Sequence, residues 1–82
     1  MKIKKNIAIS ESGFLFNSNT GDSYSLNETG KEIVKMLNKN KSEDEIRKFF
    51  LENYDVEEGI YENNFNDFIN MLRKNNLLEN ER

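Results

Sequence analysis

The hydrophobic pattern changes rhythm at Asn27. From Ile3 to Leu26 apolar positions tend to alternate: Ile3, Ile7 and Ile9 share one parity, followed by Phe14 and Phe16, then Tyr24 and Leu26. Period two carried by aromatic and β-branched residues is the strand signal. Glu11-Ser12-Gly13 and the run from Asn17 to Asp22 punctuate it with residues that accept turns or positive φ. The pattern predicts three short strands, about Asn6–Ser10, Phe14–Asn17 and Ser23–Leu26. Their short connections make an antiparallel meander the simplest topology.

Beyond Asn27 the period becomes helical. Asn27 can cap a first helix that turns Ile33, Val34 and Leu37 inward, with Met36 at the margin. Gly30 falls in its first turn, where it either weakens the helix or admits something too close for a β-carbon. The closer packing is the favoured expectation. Asn38 to Lys41 ends this helix. Ser42-Glu43-Asp44-Glu45 then reads as a capping box opening a second helix to about Tyr54, with Ile46, Phe49, Phe50 and Tyr54 as its apolar stripe. Capping accounts for each acidic residue in that run, so a metal site is not needed to explain it. Asp55 to Glu62, around Gly59, reads as a linker. A last helix, about Asn63 to Asn75, carries Phe65, Phe68, Ile69 and Leu72 at helical spacing. Asn76 can close it in a left-handed cap, Leu77 and Leu78 can fold back onto the core, and Glu79 to Arg82 should fray.

This gives a single α+β domain over residues 1–82, with its core between about 6 and 78. Leu, Ile, Val and Phe number 22 of 82 residues, enough for a folded core. Cysteine and histidine are both absent. That removes disulfides, the usual zinc ligands, the commonest general base and the best soft nucleophile. No catalytic residue, metal or cofactor is therefore expected. A net charge of −3 argues against a nucleic-acid partner, whose phosphates call for clustered Lys and Arg. The basic start, Met1 to Asn6, is followed by no apolar stretch of signal-peptide length, and no run could span a membrane. A soluble cytoplasmic chain is the expectation.

One ordered set of residues resembles a known family. A turn ending Thr20-Gly21, then Tyr24-Ser25-Leu26-Asn27-Glu28-Thr29-Gly30, then Ile33 and Leu37, is similar to the core motif of PqqD-like proteins. Ser42 to Ile46 and Tyr54-Asp55 resemble the family's middle segment. Phe65, Phe68, Ile69, Leu72 and Leu77-Leu78 resemble its close. The likeness runs from about Ile7 to Leu78. A lone Leu-Asn or Leu-Leu is weak, whereas order and spacing together are specific. Two positions depart: Asn64 stands where an acidic residue often opens the last helix, and Asn76 where glycine usually precedes the final apolar pair.

The resemblance implies a winged helix-turn-helix fold, a three-stranded antiparallel sheet followed by three helices (βββααα). It also implies a stand-alone RiPP recognition element, a non-catalytic domain that binds the leader of a ribosomally made precursor peptide. The leader would add as a strand in the groove between the third strand and the third helix. The second implied partner is a modifying enzyme, either a radical SAM maturase or a lasso-peptide leader peptidase.

The residues themselves agree with that mechanism. A three-strand meander leaves the third strand at an edge, whose amides and carbonyls can template another chain. Asp22, Ser23, Tyr24, Ser25 and Leu26 are the candidates there. The outward parity is either Ser23 with Ser25 or Asp22, Tyr24 and Leu26. On the last helix Phe65, Ile69 and Leu72 read as core. Phe68 and Met71 lie at its flank, with Asn64, Asp67, Lys74 and Asn75 along the neighbouring stripe as leader-binding candidates. Arg73 and Lys74 can attract acidic leader residues or simply stay solvated. Two rivals come from other classes: a winged-helix DNA-binding regulator, and a subunit that only bridges protein partners.

Overall fold

Three strands pack against three helices in the order the sequence predicts. The computed structural model describes residues 1–79. The strands are β1 (Ile7–Ile9), β2 (Phe14–Asn17) and β3 (Ser23–Ser25), joined as an antiparallel meander in the order β1-β2-β3. The helices are α1 (Glu28–Asn38), α2 (Glu43–Asn53) and α3 (Glu58–Lys74).

Local chemistry sets the helix ends. Asn27 caps α1, its Oδ1 accepting the Gly30 N–H at 2.8 Å. In α2 the capping box is complete: Ser42 Oγ accepts from the Glu45 N–H and Glu45 Oε1 accepts from the Ser42 N–H. Asn40 and Asn76 both take positive φ, 63° and 61°. Behind each, the chain closes as a Schellman motif. Asn40 donates to the Leu37 carbonyl and Lys41 to that of Met36; Asn76 donates to Arg73 and Leu77 to Leu72. Asparagine suits both places because its short polar side chain tolerates left-handed backbone.

The second of these closures turns the chain so that Leu77 and Leu78 enter the core. Lys4 donates its N–H to the Leu77 carbonyl and Glu79 donates to that of Lys2, so the two ends of the described chain clasp, with Ile3 bridged to Leu78. Glu79 is therefore bonded rather than frayed, and the rest of the expected frayed tail, 80–82, lies outside the described residues. Ile3, Leu15, Ile33, Val34, Leu37, Ile46, Phe50, Tyr61, Phe65, Ile69, Leu72 and Leu77 are among the buried residues of one core. Each large apolar side chain buried there stabilises by roughly 1.5–3 kcal/mol before the entropy of ordering is subtracted.

Two expectations are corrected. The linker expected over Asp55 to Glu62 ends at Glu57, and α3 begins at Glu58 instead of near Asn63. Gly59 signals a break in sequence, yet within the first turn its amide needs no intrahelical partner, so it is tolerated. Tyr61 holds that extra turn, its ring stacked between Phe50 and Phe65 at centroid distances of 5.6 and 5.7 Å. The α2 stripe is also narrower than expected. Ile46 and Phe50 are buried and Phe49 half-buried, but Tyr54 is the C-cap and 42 % exposed.

Candidate functional site

Register settles which backbone groups β3 leaves free. Antiparallel ladders alternate pairs that exchange hydrogen bonds with pairs that do not. Asn17 donates its N–H to the Asp22 carbonyl at 2.8 Å, and Leu26 donates to the Gly13 carbonyl at 2.8 Å. Tyr24 faces Leu15 midway between them and completes the bonded set. Asp22, Tyr24 and Leu26 thus turn their backbone groups toward β2. Ser23 and Ser25 turn theirs to the side of β3 where the sheet ends. Of the two parities the sequence left open, the outward one is Ser23 with Ser25.

The far edge of the sheet is less open. Ile7, on the outward parity of β1, already donates its N–H to the Lys4 carbonyl at 3.1 Å. β3 has no proline or charge to blunt it.

Just past the end of β3 a cleft of about 330 Å³ opens between the start of α1 and the middle of α3. Asn27, Thr29, Gly30 and Ile33 form one wall, and Asn64 and Phe68 the other. Gly30 sets how closely the walls approach. A β-carbon there would lie 2.9 Å from Phe68 Cε1, well inside contact distance. Thr29, Ile33 and Asn64 also border a smaller, more apolar cleft of about 90 Å³ that reaches Phe50, Tyr54 and Val56.

Tyr61 forms part of that second cleft. Its hydroxyl is buried and makes no hydrogen bond among the described residues. Burial pushes its pKa up to about 12; Arg47 opposes the shift, and Glu43 and Glu62 add to it. Glu45 moves the other way. The Ser42 N–H that it accepts holds its carboxyl below the ordinary value. Among the described residues no group of three or more acidic, His or Cys side chains could hold a metal ion.

The expected leader-binding residues fall into three groups. Asp22 to Leu26 form the edge. Asn64 and Phe68 enter the cleft wall. Met71 lies half-buried against the core farther along α3, where Asn75 donates Nδ2–H to its carbonyl at 2.9 Å. Asp67 and Lys74 are exposed and do not line the cleft. The α1 wall was missing from the sequence candidates. Its signal was Gly30, a glycine inside a helix where close approach is the main benefit.

The geometry defines a class: a βββααα domain of α+β type, with an unpaired strand edge leading into a helical cleft. The family model for coenzyme PQQ synthesis protein D (PqqD) matches residues 13–78, and the chain belongs to that family. The fold superposes on TbiB1 in complex with the TbiA(beta) leader peptide with a TM-score of 0.87 at 27% identity, covering 100% of this chain and 99% of that one. It also superposes on lasso peptide synthetase B1 complexed with the leader peptide, with a TM-score of 0.85 at 22% identity over 96% of each chain, a likeness of fold. No curated protein sequence matches the chain.

Proposed function

We propose that this protein is a RiPP recognition element. It captures the leader of a ribosomally made precursor as an added strand on β3 and presents it to a modifying enzyme. The open edge of Ser23 and Ser25 carries this reading, because it offers two residues' worth of backbone donors and acceptors to an extended peptide. Membership of the PqqD family and two relatives solved with leader peptides support it. The leader residue opposite Tyr24 faces inward, toward the side of the sheet that the helices cover. Phe68, Asn64, Met71 and the α1 wall are the surfaces to receive inward side chains.

The chain itself performs no chemistry in this reading, since it has neither His nor Cys. A radical SAM maturase or a leader peptidase supplies it, in the cytoplasm where the precursor is synthesised. No helix of the described residues is long and apolar enough to cross a membrane. A DNA-binding role is not favoured: α3 mixes Glu58, Glu62 and Asp67 with Arg73 and Lys74 rather than presenting a basic face.

A proline scan of β3 tests the mechanism, with calorimetric titration of a synthetic precursor leader peptide. Proline removes an amide donor. Ser23→Pro or Ser25→Pro should weaken binding about tenfold or more, since one bond of about 1 kcal/mol is lost with added steric cost. Both should leave the melting transition largely in place. Tyr24→Pro removes a bond to β2 and should destabilise the domain itself. Undiminished affinity in both serine variants would overturn strand addition. Incubated with precursor alone, the protein should leave the peptide's mass unchanged.

A further inference from the structure

Phe14 and Phe16 stand on the face of the sheet that no helix covers, 49 % and 46 % exposed. Their neighbours on β3 are Ser25 and Ser23, the two residues whose backbone faces the open edge. Ala8 lies beyond Phe16 on β1. The outer face is therefore two aromatic rings in an uncharged row, separated from the edge only by two hydroxymethyl groups.

We infer that this outer face reads the leader as well: Phe14 and Phe16 receive large apolar side chains from the two leader residues that lie opposite Ser25 and Ser23. The inference rests on strand addition at β3. Residues opposite each other on paired strands project to the same face, whichever way the added strand runs. Leader residues opposite Ser23 and Ser25 must then project outward, and the one between them inward. Strands lie about 4.8 Å apart, so the leader backbone sits roughly 10 Å from β2. A short side chain between them leaves a trough that two large side chains can close from either side. Serine at both positions makes that trough, and phenylalanine at both positions walls it. An apolar occupant is specified because no charged side chain belongs to this row.

The occupant is the leader itself, since the patch is continuous with the edge that binds it. Small hydrophobic patches on monomers are common, but this one is contiguous and aligned with a binding edge.

A randomised peptide library, selected on the unaltered protein and on Phe14→Thr/Phe16→Thr, tests the inference. Threonine keeps strand propensity. Peptides selected on the unaltered protein should carry large apolar residues two apart, flanking the inward residue. Selection on the variant should lose that preference. The selected consensus peptide should bind the variant about tenfold more weakly, with the melting temperature within a few degrees. On the unaltered protein, replacing the two outward peptide residues with serine should cost the same tenfold and cost nothing further on the variant, which is the signature of direct coupling. The peptide substitutions need no altered protein, so the result does not depend on the variant folding. Full affinity after either set of changes overturns the inference, as does a dimer in sedimentation that depends on Phe14 and Phe16. Ser25→Pro separates the two readings. If it leaves the consensus peptide bound, strand addition fails; if it abolishes binding while the phenylalanine variant binds fully, only the outer-face inference fails.

Discussion

Phe68 of α3 lays its ring edge over Gly30 of α1, with Cε1 2.9 Å and Cζ 3.3 Å from where a β-carbon would stand. This contact joins the end of the strand edge to the helical wall. It sets Phe68 close against the backbone of α1's first turn, which with Thr29 and Ile33 forms one wall of the cleft. Gly30 also donates its N–H to the capping Asn27 Oδ1, so the same residue anchors the helix start.

The contact should appear as a coupling between the two positions. Gly30→Ala gains up to about 1 kcal/mol of helix propensity but forces the Phe68 ring to move. In the native background it should destabilise, by roughly 1–3 kcal/mol as overpacking does. In a Phe68→Ala background, where of these contacts only that with Asn27 Oδ1 at 3.2 Å remains, most of the cost should disappear. Denaturant melts of the four proteins of the cycle measure the difference; equal effects in both backgrounds would show that the ring does not constrain Gly30.

Adjacent residues on α3 should separate binding from folding. Met71 is half-buried and Leu72 fully buried. Met71→Glu should weaken leader binding while lowering the melting temperature only by a few degrees. Leu72→Glu buries an unpaired charge and should unfold the domain. Calorimetric titration beside thermal melts reads both. Unfolding of Met71→Glu as complete as that of Leu72→Glu would remove Met71 from the binding surface.

Tyr61→Phe should stabilise the protein, because it deletes a buried hydroxyl that lacks a partner among the described residues while keeping the stacked ring. A gain of about 1 kcal/mol corresponds to a rise of roughly 4–8 °C for a domain of this size. The alkaline limb tests the cause. The folded pKa of about 12 lies above the ordinary 10.0, so the native protein binds this proton more tightly than the unfolded chain. That contribution is whole below pH 10.0 and is lost as pH rises toward 12. The phenylalanine variant should lose less stability over that interval, and identical alkaline melts of the two proteins would contradict the assignment.

Glu45 sets an acid limit on α2. Its folded pKa is depressed below 4.5 by the Ser42 amide, so its contribution is present above that value and disappears as pH falls through the folded value. Glu45→Ala should lower the melting temperature at neutral pH, and the gap from the native protein should shrink in acid. A gap that stays constant down to pH 3 would show that the ionised carboxylate does not carry the effect, since alanine is itself the better helix former.

What the sequence by itself determined was local. Asn27, Ser42 with Glu45, and Asn76 cap helices through bonds made within a few residues, so each was legible before any fold was known. The alternation from Ile7 to Leu26 likewise revealed three strands, and the helical spacing of Phe65, Ile69 and Leu72 revealed a core-facing stripe. What only the tertiary structure decided depends on partners far along the chain. The start of α3 was hidden because Gly59 argues for a break, and the stacking of Tyr61 on Phe50, from another helix, overrides it. Ile3 joins the core only by pairing with Leu78. The α1 wall of the cleft exists because Phe68 approaches Gly30 across 38 residues of chain. The free parity of β3 could not be read from the strand alone, since a strand of alternating residues is compatible with either set of backbone directions. Asn17 bonding Asp22, and Leu26 bonding Gly13, chose it. Register is a property of two strands together, and so Ser23 and Ser25 became the open edge only once β2 was in place beside them.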